Sequence, residues 1–157
     1  MRAFRIADRR FPIFDGGGAR LVGGRWNSPG RTLIYSSETY SGAMLEILAH
    51  ANLGRLPRTH AYIEIAIPED IAFERIEARR LPQWDSEDQL ASRAFGDRWL
   101  DEQRTAILMV PSLVTRGIEH NVLLNPSHPD FVRIHASEPH EVMWDARLFR
   151  SADEQKL

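Results

Sequence analysis

Residues 59–67 alternate, with Tyr62, Glu64 and Ala66 set against Ile63, Ile65 and Ile67. That period of two predicts a half-buried strand, stopped by Pro68. Residues 105–110 form an apolar run bounded by Pro111, which predicts a central strand delivering Ser112 at its end. A third strand is predicted over 31–36, entered from the Pro29-Gly30 turn. Weaker alternation predicts a first strand over 3–7, with Arg5 on one face, and a short strand over 71–76. Residues 81–84 read as a turn that anchors Trp84. Residues 121–125 and 131–135 read as strand-like pieces joined by Pro126-Ser127-His128-Pro129, and 142–149 as a closing segment with period two.

Two stretches carry the helical period. Ser37 is the expected N-cap of the first, and Glu38 complements the helix dipole. Ala43, Leu45, Ile47, Leu48 and Ala49 continue it, and Asn52-Leu53-Gly54 ends it. Met44, Ile47, Leu48 and Ala51 share one apolar stripe, which leaves Glu46 at its edge. The second helix is expected from Ser86, with Gln89 in the capping-box position and Leu90, Ala94, Trp99 and Leu100 among its apolar residues. Residues 8–22 contain Pro12 and Gly16-Gly17-Gly18 and read as a mobile surface loop. With no repeat or linker, the pattern predicts one α+β domain of mixed sheets with flanking helices over residues 1–150. A polar tail over 151–157 is expected to fray.

Composition adds exclusions. Without cysteine the 157-residue chain can form no disulfide, zinc ribbon or thiol nucleophile. A formal net charge of −2 gives no footprint for direct nucleic-acid binding. No apolar run reaches membrane-spanning length, and the opening residues lack a signal-peptide core, so the expected location is cytoplasmic, away from membranes. Lys156 is the only lysine. The arginines therefore reflect either genomic base composition or planar, bidentate contacts with phosphate or carboxylate.

The chemistry concentrates in residues 23–46. Glu46 lies among apolar helical residues, so it is either ion-paired at a helix edge or kept for work in a cleft. Arg25, between Gly24 and Trp26, can clamp a pyrophosphate or brace a loop through carbonyls. Tyr35 is either core or a stacking platform. Ser112 can donate to a ligand, but it lacks the nucleophile elbow and an identifiable base. His120, His128, His135 and His140 match no metal-ligand spacing, so no metal site is expected.

Together these residues resemble the RES-domain toxins of bacterial type II toxin–antitoxin systems. The matching segments are Phe4-Arg5, Gly24-Arg25-Trp26-Asn27 with Pro29-Gly30, Tyr35-Ser36-Ser37 and Ala43-Met44-Leu45-Glu46. They continue with Val110-Pro111-Ser112 and the run 119–131, which contains Asn125-Pro126-Ser127-His128-Pro129. Residues 68–103 contribute little. The resemblance implies a fold similar to diphtheria-toxin-type ADP-ribosyltransferases and a cleft lined by Arg25, Tyr35, Glu46 and Ser112, with Asn125 a weaker candidate. It implies NAD as a consumed substrate, with no prosthetic group: release of nicotinamide with the ADP-ribosyl group passing to water, phosphate or a protein acceptor. Glu46, Arg25 and Ser112 are then the expected catalytic residues; Arg25, Tyr35, Ser112 and Asn125 are expected to bind NAD. It also implies a hetero-oligomer with a cognate antitoxin that carries an Xre-like helix-turn-helix region. The competing readings are a non-enzymatic binding domain, in which Arg25 and Glu46 form a structural ion pair, and a metal-dependent hydrolase using the C-terminal histidines.

Overall fold

The computed structural model describes residues 1–50 and 57–149. Eight strands form one sheet: β1 (Arg2–Asp8), β2 (Ile34–Ser37), β3 (His60–Ala66), β4 (Phe73–Arg75), β5 (Ile107–Pro111), β6 (His120–Leu124), β7 (His135–Ala136) and β8 (His140–Glu141). Their spatial order is β4-β5-β6-β2-β1-β3-β7, with β8 also paired to β3. Every pairing is antiparallel except β4 with β5. The helices are α1 (Gly17–Val22), α2 (Tyr40–His50) and α3 (Leu90–Asp101). This is a mixed α+β domain of sheet and flanking helices.

β5 is buried along its whole length, as a continuous apolar run requires. Its alternate residues feed two cores: Ile107 and Met109 pack with Ile34, Ile63, Ile65, Val122 and Leu124, whereas Leu108 and Val110 pack with Trp26, Trp99 and Leu123. A smaller cluster joins Ile6, Ala43 and Val142, with Met44 and Ile47 of α2 against it.

Several expectations need correction. The 8–22 stretch is not all loop, because residues 17–22 coil into α1. The Asn27 amide donates to the Ala19 carbonyl at 2.8 Å, and the Gly30 N–H to that of Arg20 at 2.7 Å. Ser37 ends β2 rather than capping α2; the Thr39 hydroxyl caps instead, accepting from the Gly42 N–H at 2.9 Å. Gln89 forms no capping box. It is the N-cap of α3 in the left-handed region, with φ 58°. Leu90 and Ala94 face solvent while Ser92, Gly96 and Trp99 are buried, so the inward face of α3 is built on small residues that allow close approach. Residues 129–133 form a 3-10 turn opened by Pro129, leaving only His135–Ala136 as strand. The segment after β8 likewise ends in a 3-10 turn, Ala146–Phe149, with Met143 exposed. The expected helix end at 52–54, Ala51 of the stripe and the 151–157 tail lie outside the described residues. Among those described, no helix is long and apolar enough to cross a membrane.

Candidate active site

A cleft of about 530 Å³ opens between α2, the 18–26 segment, the middle of β1 and the ends of β2, β5 and β6. The α2 residues that line it are Ala43, Glu46, Ile47 and His50, the i, i+3, i+4, i+7 face of a helix. Glu46 therefore points into the cleft from an otherwise largely apolar face. Its Oε1 accepts from the Asn121 amide at 2.7 Å and from the Ser112 hydroxyl at 3.2 Å. Its Oε2 takes no hydrogen bond from the described residues, so one carboxylate oxygen of this cleft-lining residue is anchored and the other is unspent.

Sheet register explains this meeting. Ser112 directly follows β5, and Val110 pairs with Asn121 of β6, so both residues stand at the same end of the β5–β6 ladder. Ser112 is buried, 2% exposed, and sits behind Glu46.

The opposite lip is the 23–27 loop. Gly23 has φ 74°, and a side chain on Gly24 would collide with the Tyr35 hydroxyl. That hydroxyl donates to Asn27 Oδ1 at 2.7 Å and accepts from the Trp26 N–H at 3.0 Å. Burial pushes the Tyr35 phenol well above its ordinary range, which keeps it protonated and able to donate. Tyr35 both lines the cleft and fixes its lip. Arg25 spends Nη1 on the carbonyls of Trp84, at 3.0 Å, and Ser86, at 2.8 Å. Its other guanidinium nitrogens bond no described residue, and Arg25 also lines the cleft. Both readings of Arg25 are thus compatible in one side chain: bracing on one edge and donors to spare on the other. Among the described residues Arg25 and Glu46 do not form an ion pair, which removes the geometric basis of the structural-pair alternative.

Ser112 reaches Glu46 without itself lining the cleft, and Asn125 does neither. It follows the far end of β6, where its N–H donates to Ala106 and its Oδ1 accepts from the Ser127 N–H at 3.0 Å. Four residue steps along β6 separate it from Asn121, about 13 Å at ordinary strand rise. The 125–128 turn therefore does not close the cleft. The four C-terminal histidines occupy separate places: His120 contacts Arg75 and Glu38, the His128 ring accepts from the Asp130 N–H, and His135 and His140 lie on β7 and β8. Among the described residues no three His, Asp or Glu side chains converge as a metal site would require.

Two cleft residues escaped the sequence reading. Asn121 looks like an ordinary strand position, and only the pairing with β5 shows that it meets Glu46. Arg5 lines the cleft and donates to the carbonyls of Ile13, at 2.7 Å, and Tyr35, at 2.6 Å. Burial lowers its pKa from the usual guanidinium value, with Asp15 opposing. Its place beside a strand of alternating residues gave only a face.

The RES domain family model matches residues 2–145. The chain is 38% identical over 142 residues to a "Prs ADP-ribosylating toxin" of Sphingobium sp. (strain YBL2), covering 88% of each protein. It is 33% identical over 153 residues to a "Toxin Res" of Yersinia enterocolitica serotype O:8 / biotype 1B, covering 94% of this chain and 99% of that one. The fold superposes with a TM-score of 0.70 on a chain in the crystal structure of the M. tuberculosis MbcT–MbcA toxin–antitoxin complex, at 18% identity, covering 90% of this chain and 84% of that one. The chain belongs to the RES-domain toxin family.

Proposed function

We propose that the protein is a cytoplasmic toxin that binds NAD in this cleft and breaks the bond between nicotinamide and ribose. The observation that carries this reading is the cleft-lining Glu46 carboxylate, anchored through Oε1 with Oε2 unspent among the described residues. In the reaction, the C1′–N bond breaks and its electron pair moves to the pyridinium nitrogen, so nicotinamide leaves neutral. Positive charge grows on the ribose, as in glycoside cleavage. A carboxylate fixed beside that carbon stabilises the charge without having to reorganise. Arg25 supplies donors for the pyrophosphate or positions the nicotinamide end, Tyr35 stacks on the nicotinamide ring, and Ser112 orients Glu46. The acceptor then adds at C1′ and releases its proton. NAD is a consumed substrate here and not a resident cofactor. The proposed fold relationship is to ADP-ribosyltransferases of the diphtheria-toxin kind.

Water, phosphate and a protein are all chemically competent acceptors. The name of the Sphingobium relative favours a protein. Incubation with NAD alone, then with phosphate, then with cell extract and labelled NAD, separates the three by product. If Asn121 positions Glu46, Asn121→Ala loses a hydrogen bond to a charged group, about 1.5–3 kcal/mol. The rate of nicotinamide release is then expected to fall by roughly ten- to a hundredfold with little change in KM. Ser112→Ala, which loses the longer bond, falls less. An Asn121→Ala protein with unchanged kcat would remove the positioning role.

A toxin of this kind needs restraint in its own cell, so we place it in a hetero-oligomer with an antitoxin. The MbcT–MbcA complex supports such a pairing. The antitoxin is expected to carry the Xre-like helix-turn-helix region and the DNA contact, which suits the formal charge of −2 here. Co-expression with the neighbouring gene's product should give a co-purifying complex without NAD turnover. Expression of the toxin alone without harm to the cell, and without association, would count against this.

A further inference from the structure

Of the four non-glycine residues held at positive φ among the described residues, Gln83, Gln89, Gln103 and Arg116, Gln89 is the one that lines the cleft. Its backbone sits at φ 58°, ψ 14°, a region that costs an ordinary side chain free energy and that glycine adopts freely. The side chain is not free to turn. Arg93 Nη2 donates to Gln89 Oε1 at 2.8 Å, which identifies Oε1 as the acceptor and leaves Nε2 as the open end of the amide. Nε2 donates to no described residue. The same Arg93 donates from Nε to the Gly24 carbonyl at 3.1 Å, so Gln89 is tied to the loop that carries Arg25. Arg25 in turn is held by the carbonyls of Trp84 and Ser86, from the segment that leads into Gln89. Residues 84–93 thus grip one lip of the cleft and present there two sets of unspent N–H donors, on Arg25 and on Gln89.

We infer that Gln89 is a substrate-binding residue, its Nε2 donating to a pyrophosphate oxygen of the dinucleotide beside Arg25. This rests on the NAD reading proposed above. A fixed amide donor with no protein partner is what an anionic oxygen takes up, and a strained backbone at that point is retained because it aims the amide. Glycine, the residue the backbone prefers, has no donor to offer.

The test compares nicotinamide release from NAD with release from nicotinamide riboside, which has the same scissile bond and no pyrophosphate. Two variants are used. Gln89→Gly suits the backbone and removes the amide, so the protein is expected to stay folded while kcat/KM for NAD falls by roughly ten- to a hundredfold. Gln89→Glu keeps the contact to Arg93 but sets a carboxylate against the pyrophosphate, and kcat/KM for NAD is expected to fall at least as far. With nicotinamide riboside both variants should match the wild type. Unchanged NAD kinetics in both variants, or equal losses on both substrates, would overturn the role for Gln89. A wild type that releases nicotinamide from neither substrate would overturn the NAD reading itself.

Discussion

Replacing Glu46 by Gln is expected to lower nicotinamide release from NAD by on the order of a hundred- to a thousandfold, the loss seen when a preorganised charge-stabilising group is removed. The substitution is nearly isosteric. The Gln carbonyl oxygen can take the place of Oε1 and accept from Asn121 and Ser112, so the contacts that hold the side chain survive. What disappears is the negative charge on the side facing the cleft. NAD binding is therefore expected to stay within a few fold and the melting temperature within about 2 °C, since the lost charge has no ion-pair partner among the described residues. The loss should appear in kcat, because the charge it answers exists fully only in the transition state. Initial rates by proton NMR, with thermal unfolding as a control, measure both. A folded Glu46→Gln protein that turns over at the wild-type rate would remove Glu46 from the chemistry.

Gly96→Ala is expected to disrupt the fold and the site together. A Cβ at Gly96 would lie 1.8 Å from the Trp26 carbonyl oxygen, 2.8 Å from its carbon and 3.2 Å from its Cα. All three are backbone atoms, so no side-chain rotation relieves the clash and α3 must move away from the 23–28 loop. Movement would strain several links at once. Asp97 accepts from the Ser28 N–H at 2.8 Å and from its hydroxyl at 2.5 Å, Arg31 pairs with Asp101 at 2.8 Å, and Arg93 holds the Gly24 carbonyl. Overpacking costs about 1–3 kcal/mol, and a clash that only backbone motion can relieve belongs at the top of that range. About 3 kcal/mol corresponds to a melting temperature roughly 6–12 °C lower. Arg25 rides on the same loop, so affinity for NAD should fall as well. An unchanged unfolding midpoint would show that the helix and loop can separate freely.

How far these features can be read from the sequence depends on the residue. β3 and β5 were legible because burial imposes a period of two, or an unbroken apolar run, that no other structure explains as well. The face of α2 was partly legible: Ile47 and Met44 pack as their spacing suggests, while the cleft-facing set 43, 46, 47 and 50 mixes Ala, Glu, Ile and His and leaves little hydrophobic signature. α3 misled for a physical reason. Its buried face needs Ser92 and Gly96 where the Trp26 backbone approaches, and hydrophobicity does not report a need for small size. Gln89 resembled a capping-box residue, but it is the N-cap itself, at positive φ with its side chain bonded to Arg93.

The candidate site divides along the same line. Glu46 and Arg25 stood out because a charge among apolar or glycine neighbours demands a partner. Asn121 did not, because an amide in a strand becomes informative only once the register with β5 is known. Asn125 was included on the strength of its motif, and the length of β6 carries it away from the cleft.

The chemistry proposed for this cleft is breakage of the nicotinamide–ribose bond of NAD. Incubating the wild-type protein, freed of its antitoxin, with NAD and following free nicotinamide by proton NMR tests it most directly. Nicotinamide is expected to appear as NAD disappears, at the same rate with and without a chelator. A folded protein that leaves NAD intact, or one whose turnover stops when chelator is added, would contradict it.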